Sequence, residues 1–374
     1  MKFCHFRIML IVLTGTLFLH VPQLSAQTAE ELYNRAANDY NLGNVAEAIS
    51  GLNKVIEMSP NSAEAYYDRG AIYRQQGDLI LAISDYTKAL EINPKFIEAY
   101  YNRGNIYRDQ GNLPEAISDY TKAIEINPNF AEGYGNRGFA YRQQGELTQA
   151  IADYTKALEL KPDFAPAYNL RGVAYESQGN LAEAITDYTK AIEIDANSSD
   201  AYANRGNAYS LQGDFPKAIA DYNKAIEINP NLAELYNNRG DVYSKQGNFQ
   251  QAVADSTKAI EIKPNYAEAY YNRGLDYKNH GNLSEALADF TKAIEINPNL
   301  AEAYFSRGNV YAAQGKLTEA IAEYNKAIEL KPGYAAAYES RANVYKRQGN
   351  AAKAEDDHMN AISGAYDILM QKNK

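Results

Sequence analysis

The sequence predicts an all-α protein, built as a solenoid of antiparallel helix hairpins. Three observations support this prediction. A motif of 34 residues recurs along almost the whole chain of 374 residues. Each copy holds two stretches with helical periodicity, and a glycine separates them. A single hairpin of this kind has apolar surface on two sides, so it must stack on further copies to bury both.

The segment 97–130 represents the whole motif, and its first part predicts the first helix. Four of its residues are spaced as on one face of a helix, at i, i+3, i+4 and i+7: Tyr100, Arg103, Gly104 and Tyr107. Gly111 is expected to end this helix, because glycine adopts the left-handed conformation without a Cβ penalty.

The second helix of the motif is expected to start at Asn112. The side chain of Asn112, together with Glu115 three residues later, predicts a capping box. Pro114 suits the first turn, where its missing N–H costs nothing, and Pro128 ends the helix. Three residues form its inner side: Ala116, Tyr120 and Ala123.

Two small residues, Gly104 and Ala116, predict a close approach of the two helices. The combined pattern is Tyr100-x2-Arg103-Gly104-x2-Tyr107, Ala116-x3-Tyr120, Ala123 and Pro128. It resembles the tetratricopeptide repeat, with tyrosine at the family's first tryptophan and Arg103 where the family has leucine. The resemblance implies a right-handed superhelix with a concave groove that binds protein segments.

The motif predicts the domain organisation of the whole chain. Prolines mark the repeats at intervals of 34 residues, or of 68 where Ala196 replaces one: Pro60, Pro94, Pro128, Pro162, Pro230, Pro264, Pro298 and Pro332. We predict a leader at 1–26 and a tail or cap at 367–374. Between them lie ten repeats: 27–60, 61–94, 95–128, 129–162, 163–196, 197–230, 231–264, 265–298, 299–332 and 333–366. No span remains for a catalytic domain, so we expect no catalytic residues and no enzyme.

Residues 1–26 predict a secretory signal peptide. Lys2 and Arg7 give a basic start, 8–19 is an apolar run, and the segment ends in Leu-Ser-Ala. We therefore expect a periplasmic or secreted protein, with an uncleaved N-terminal anchor as the alternative. The single cysteine, Cys4, lies in this leader, so thiol chemistry is excluded from the mature chain.

The charge of the chain narrows the class of partner. With 37 basic and 47 acidic residues the net charge is −10, and loss of Lys2 and Arg7 with the leader makes it −12. This acidity disfavours nucleic acid and anionic lipid. His280 and His358 are the histidines of the mature chain, and neither has cysteine ligands nearby. We expect a protein or peptide partner, no metal, no cofactor and no membrane span in the mature chain.

Arginine recurs once in each repeat: Arg35, Arg69, Arg103, Arg137, Arg171, Arg205, Arg239, Arg273, Arg307 and Arg341. An acid follows sixteen residues later in nine repeats: Asp85, Asp119, Asp153, Asp187, Asp221, Asp255, Asp289, Glu323 and Asp357. Since a hairpin brings these positions together, we predict ion pairs within repeats, such as Arg103–Asp119 and Arg137–Asp153. The alternative is a basic stripe that binds a ligand.

Asparagine precedes this arginine in six repeats: Asn34, Asn102, Asn136, Asn204, Asn238 and Asn272. The resemblance implies that this position lines the concave surface, where such asparagines grip an extended peptide backbone. The amide suits that role because it can donate and accept at once. An ordinary solvated polar face is the alternative.

Aromatic and basic side chains extend the predicted groove. Tyr67 and Tyr101, with Arg74, Arg108 and Arg142 on the same wall, form the best candidate pocket for a partly acidic segment. Three acids project into the same groove and would oppose this by neutralising the arginines: Glu64, Glu98 and Glu132. Elsewhere, Ser256 replaces the tyrosine of the second helix, and we expect a neighbouring side chain to fill the space rather than a pocket.

These observations favour a non-enzymatic, exported scaffold that binds an extended protein segment in its concave groove. The alternative is an accessory subunit of an envelope assembly for secretion, pili or polysaccharide export. In that case the convex face or the end repeats would make the contact.

Overall fold

The computed structural model describes residues 28–372, with side chains up to residue 363. The predicted leader 1–26 lies outside this range. The described residues form twenty helices. Their bounds are α1 Ala29–Asn41, α2 Val45–Met58, α3 Ala63–Gln76, α4 Leu79–Ile92, α5 Ile97–Asp109, α6 Leu113–Ile126, α7 Ala131–Gln143, α8 Leu147–Leu160, α9 Ala165–Ser177, α10 Leu181–Ile194, α11 Ser199–Gln212, α12 Phe215–Ile228, α13 Ala233–Lys245, α14 Phe249–Ile262, α15 Ala267–Asn279, α16 Leu283–Ile296, α17 Ala301–Ala313, α18 Leu317–Leu330, α19 Ala335–Arg347 and α20 Ala351–Lys372.

The predicted all-α fold of paired helices is confirmed. The chain divides into two compact units, Met1–Asp187 and Tyr188–Lys374, and the boundary falls inside α10. Within each unit, the first helix of a hairpin packs against its own second helix, and that second helix packs against the next hairpin. Several successive first helices also touch each other, such as α5 with α7 and α13 with α15. The side of a unit that the first helices form is called its inner face below.

Glycines end the first helices, as predicted. Gly111 has φ of 80°, and a residue with positive φ closes the first helix of each of the ten hairpins in the described chain, always a glycine. The amide of Gly111 donates to the carbonyl of Arg108, and the amide of Asn112 donates to Tyr107. The free carbonyls of the last turn are thereby bonded.

The predicted capping box at Asn112 is wrong. Asn112 is the N-cap of α6, but its side chain makes no capping hydrogen bond. Its ψ of 68° is far from the extended value that favours capping, but this angle does not forbid it, since Asp214 with the same ψ accepts from the amide of Lys217 at 3.3 Å. By contrast, Thr28 has ψ of 158° and forms a complete capping box with Glu31.

The close approach of the two helices at Gly104 is confirmed. A Cβ atom added there would lie 2.9 Å from the ring of Tyr120 and 3.2 Å from Cβ of Asp119. Ala116, the small residue on the opposite helix, is completely buried. A larger side chain at either position would separate the helix axes.

A repeated core unit joins one hairpin to the next. An alanine and an aromatic residue of the second helix pack against one apolar residue of the following first helix. Two examples are Ala116, Tyr120 and Ala140, and Ala286, Phe290 and Val310. We call each such boundary between consecutive hairpins a seam. Its regularity explains why the 34-residue period of the sequence becomes a period of the structure.

Candidate functional site

The recurring arginine contacts both helices of its own hairpin and the second helix of the preceding hairpin. In the third repeat, Nε and Nη2 of Arg103 donate to the two carboxylate oxygens of Asp119, each at 2.8 Å. Nη1 donates to Oγ1 of Thr87 in the preceding hairpin, at 2.8 Å. The guanidinium lies between the rings of Tyr100 and Tyr107, with Cζ 5.9 Å from each centroid. Arg103 therefore ties its own two helices to the hairpin before it.

The same arrangement recurs in nine repeats and is called the arginine ladder. Its pairs are Arg69–Asp85, Arg103–Asp119, Arg137–Asp153, Arg171–Asp187, Arg205–Asp221, Arg239–Asp255, Arg273–Asp289, Arg307–Glu323 and Arg341–Asp357. In the first repeat Gly51 replaces the acid, and Arg35 reaches Asp39 at 3.8 Å with its side chain 67% exposed.

The ladder arginines do not form a basic surface. The side chain of Arg103 is 16% exposed, and its donors face other groups of the protein. Burial by itself would lower the pKa of Arg103, but the hydrogen bond and the charge of Asp119 outweigh it and raise this pKa. The guanidinium stays charged, and its charge is balanced by Asp119 within the same repeat. This geometry disfavours a ligand-binding stripe.

The asparagines before the arginines connect successive hairpins on the inner face. Nδ2 of Asn102 donates to the hydroxyl of Tyr67 at 2.9 Å, and its Oδ1 accepts from Arg74 at 3.2 Å. Nδ2 of Asn136 donates to the hydroxyl of Tyr101 at 2.8 Å and to Oδ1 of Asn105 at 3.0 Å.

Further asparagines on the inner face bond in the same way. Asn238 donates to Asn207 at 3.4 Å, and Asn272 donates to Asn237 at 3.1 Å. Asn204 also has an interaction inside the protein. These amides hold neighbouring hairpins in register. The period of the sequence reveals the positions, but not that their partners lie about one repeat away.

The arginines of the inner face differ from one another. Arg74 is bonded to Asn102, and Arg108 donates from Nε and Nη2 to Oδ1 of Asp109 at 2.9 and 2.7 Å. Arg142 makes no ion pair within 4.0 Å in the described part of the chain. The ring of Phe139 lies 5.7 Å from Cζ of Arg108 and 5.1 Å from Cζ of Arg142. We call Arg108, Phe139 and Arg142 the arginine–phenylalanine patch.

Phe139 was missed at the sequence level. It stands in the interior of α7, where Asn105 stands in α5, and only its position three residues before Arg142 indicated that it would meet the arginine. The glutamates predicted to neutralise the arginines do not pair with them among the described residues. Glu132 instead lies 3.0 Å from Nζ of Lys161. The patch therefore keeps a positive charge in an acidic protein.

Clusters of acidic side chains and the two histidines are the other candidates for chemistry in residues 28–363. No group of three or more acidic or histidine side chains there could hold a metal ion. His280 stacks on Phe249 with centroids 3.7 Å apart, and His358 lies 2.7 Å from Glu339. Within the described residues, none of the helices combines the length and apolar character needed to span a bilayer.

Comparison with protein families gives matches to three repeat models. The model "TPR repeat" matches residues 38–77, 140–179, 177–213, 206–247, 240–281 and 308–349. A first "Tetratricopeptide repeat" model matches 63–96, 97–130 and 267–300, and a second matches 119–152 and 290–322. The matches to the first model span more than half of the chain. A search of curated proteins found no match.

Three solved structures illustrate what this chain is similar to. A tetratricopeptide repeat protein from Parabacteroides merdae is 26% identical, with a TM-score of 0.54, over 67% of this chain and 98% of that one. YrrB, described as a TPR protein with an unusual peptide-binding site, is 29% identical with a TM-score of 0.41, over 49% and 95%. Yeast Tom70 is 16% identical with a TM-score of 0.49, over 92% and 96%.

Proposed function

Because the chain belongs to the tetratricopeptide repeat family, we propose that it is a non-enzymatic, exported scaffold that binds an extended protein segment. The segment lies on the inner face of the N-terminal unit, and an acidic side chain of the segment contacts the arginine–phenylalanine patch. The observation that carries this proposal is Arg142, a guanidinium next to an aromatic ring with no carboxylate within 4.0 Å in residues 28–363.

The positive charge of the patch predicts a negatively charged side chain on the partner. Arg108 and Arg142 both lie near the ring of Phe139, so two positive charges flank one apolar surface. Asp109, the only acid paired with them among the described residues, is half-exposed. A carboxylate from a partner would add charge-assisted hydrogen bonds to Arg142. Arginine and aromatic side chains commonly dominate the energy of such contacts.

The asparagines take a supporting role in this proposal. Both amide hydrogens of Asn136 are already used inside the protein. Substituting Asn136 or Tyr101 would therefore disturb a seam and not only a ligand contact. The arginines are the better test positions.

The test uses the full-length chain to select peptides from a random dodecapeptide phage library. Fluorescence anisotropy then measures the affinity of an enriched peptide for the wild type and for Arg108→Gln with Arg142→Gln. We expect the double variant to bind roughly tenfold more weakly, a loss of about 1.4 kcal/mol. Lys122→Gln is the control, since Lys122 is exposed on the second helix and pairs with Glu125. Equal affinity of the double variant and the wild type would refute the patch as the binding site.

Export is tested separately by sequencing the N-terminus of the protein recovered from outside the cytoplasm. The proposal expects a mature chain that begins at Gln27. A chain that retains Met1 and stays in the cytoplasm would contradict export without affecting the binding proposal.

A specific observation also supports the second candidate, an accessory subunit of an envelope assembly. Leu42, Ile80 and Leu81 are exposed in the first two hairpins, and Met359 and Ile362 are exposed on α20. Apolar side chains concentrated in the end hairpins suit contact with another subunit. Deleting 333–366 would then abolish association, whereas substitution of Arg108 and Arg142 would leave it unchanged.

A further inference from the structure

One seam of the C-terminal unit has a polar core. At the seam before it, Ala218 and Tyr222 pack against Val242, and at the seam after it Ala286 and Phe290 pack against Val310. The residues one period away, between the hairpins α13–α14 and α15–α16, are Ala252, Ser256 and Asp276. Two apolar positions that face each other at neighbouring seams have thus both become polar.

Further polar residues surround this pair. Oγ of Ser244 donates to Oδ1 of Asp276 at 2.5 Å. Asn237 stands one repeat before Tyr271, and it accepts from Asn272 at 3.1 Å. We call Asn237, Ser244, Ser256, Asn272 and Asp276 the polar seam.

One face of α13 brings these groups together. Asn237, Gly240 and Ser244 are spaced at i, i+3 and i+7, so they lie on the same side of the helix. A Cβ atom added to Gly240 would be 3.4 Å from Oγ of Ser256, so that hydroxyl lies against the same face of α13. Asp276 reaches the same face through Ser244. The polar atoms of three helices therefore converge.

Two of these buried groups lack their usual partner, which is a hydrogen-bonding group for a hydroxyl and a cation for a carboxylate. Ser256 is 1% exposed, and its hydroxyl makes no hydrogen bond. Asp276 is 4% exposed and has no cationic side chain within 4.0 Å in the described part of the chain. Burial raises the pKa of Asp276, an effect that its bond to Ser244 and the more distant His280 only partly offset. Buried carboxylates are usually paired with a cation.

The residue types at the seam favour the binding of a small cation. Serine in place of tyrosine removes an aromatic ring from the packed position, and the neighbouring Ala252 adds little volume. The groups that remain are mainly acceptors, with one negative charge among them. A compact ammonium group has three donors and one positive charge, which matches this set.

We propose that the polar seam binds the ammonium group of a lysine side chain from a protein segment on the inner face of the C-terminal unit, paired with Asp276 and hydrogen-bonded to Ser256. This proposal rests on the proposed scaffold function, and it gives the C-terminal unit a recognised side chain of its own, opposite in charge to the one expected at the arginine–phenylalanine patch. Ser244 is half-buried, so it links the site to the accessible inner face.

The test uses n-butylammonium chloride as the probe and hydrogen exchange of the full chain as the measurement. At a concentration ten times the dissociation constant, the probe is expected to slow exchange in α13–α15 about tenfold. Neutral n-butanol and sodium chloride should have no such effect. Asp276→Asn should abolish the slowing, while Glu261→Gln should preserve it, because Glu261 is exposed on α14 and paired with Lys258.

A second variant guards against a folding defect in Asp276→Asn. Ser256→Tyr with Asp276→Val reproduces the Tyr222–Val242 core of the preceding seam, so it should fold and should not respond to the probe. No saturable effect on the wild type would overturn the proposal, and an equal effect in Asp276→Asn would do the same. If n-butanol slowed exchange as much as n-butylammonium, the seam would contain only an apolar or hydrated void, and the proposal would be overturned. None of these results depends on the peptide selection, so the seam and the scaffold proposal can fail independently.

Discussion

The hairpins α5–α6 and α13–α14 have the same frame but opposite inner faces. Arg103 bonds to Asp119 in one as Arg239 bonds to Asp255 in the other, with distances that agree within 0.2 Å. On the inner face, however, α5 carries Tyr101, Asn105 and Arg108 where α13 carries Asn237, Asp241 and Ser244. A cationic, aromatic surface has been replaced by an acidic, polar one without a change in the helix pairing.

This difference shows which positions determine the fold and which are open to function. The ladder, the helix-ending glycines and the buried alanines repeat with little variation, and they set the backbone. The inner face contributes only nearest-neighbour contacts, so its chemistry can change from one hairpin to the next. The comparison predicts that ladder substitutions cost the same in both hairpins, while substitutions near the inner face do not.

The largest expected effect comes from removing a ladder acid. Asp119→Ala and Asp255→Ala should each lower the free energy of opening of their hairpin by about 4 kcal/mol, because each leaves a largely buried arginine without its partner. Native-state hydrogen exchange of α5–α6 and α13–α14 measures this. Glu125→Ala is the control and should cost about 1 kcal/mol or less, since its pair with Lys122 is exposed. A clear difference between the two ladder variants would show that the inner face does influence the frame.

A pH-dependent stability is expected at the first seam. Asp68 stands there at the repeat position that Asn102 occupies in the next repeat. Tyr33 donates to Asp68 there, as Asn102 donates to Tyr67 at the next seam. Burial raises the pKa of Asp68 to about 6, although Tyr33 opposes the shift. The folded state thus binds the proton more tightly than the unfolded state. The contribution of Asp68 to the free energy of unfolding is therefore greatest below its ordinary pKa of 3.8. This contribution falls by roughly 3 kcal/mol as pH rises past 6.

Asp68→Asn should remove that loss. The variant is expected to match the wild type near pH 4 and to exceed it above pH 6, as measured by urea unfolding at a series of pH values. Asp109→Asn is the control, because Asp109 is half-exposed. If Asp68→Asn and the wild type showed the same pH profile, the carboxylate would not be held in a desolvated state.

The fold could be predicted almost entirely from the sequence, because its determinants are local and repeated. Gly111 and Gly104 act through φ and through volume, and both effects can be recognised within one motif. The inner-face site could not be predicted to the same extent. The amide of Asn136 is satisfied by Tyr101, and Phe139 joins Arg108 to Arg142, so these roles depend on pairing between repeats. The single error within the motif, at Asn112, arose because a suitable residue type at the N-cap does not ensure a capping bond: at the same ψ, Asp214 caps and Asn112 does not.

A smaller effect is expected at the glycines where the two helices touch. Gly104→Ala would place Cβ 2.9 Å from the ring of Tyr120, and this overpacking should cost about 2 kcal/mol. In Gly240→Ala the nearest atom is Cβ of Asp255 at 3.2 Å, and Ser256 offers only a hydroxyl at 3.4 Å. We expect a cost below about 1 kcal/mol there. Hydrogen exchange of the two hairpins provides the measurement, and a reversed order would contradict the packing at the polar seam.

The smallest effect concerns the starts of the helices. Asn112 and Asn248 precede α6 and α14 without a side-chain capping bond, whereas Oγ of Ser62 accepts from the amide of Ala65 at the start of α3. Ser62→Ala should therefore cost about 1 kcal/mol, while Asn112→Ala and Asn248→Ala should each cost only a few tenths. Exchange rates in the first turns of α3, α6 and α14 report these losses directly. A cost of about 1 kcal/mol at Asn112 alone would mean that the hairpin α5–α6 has a capping interaction that α13–α14 lacks, and the two frames would then not be equivalent.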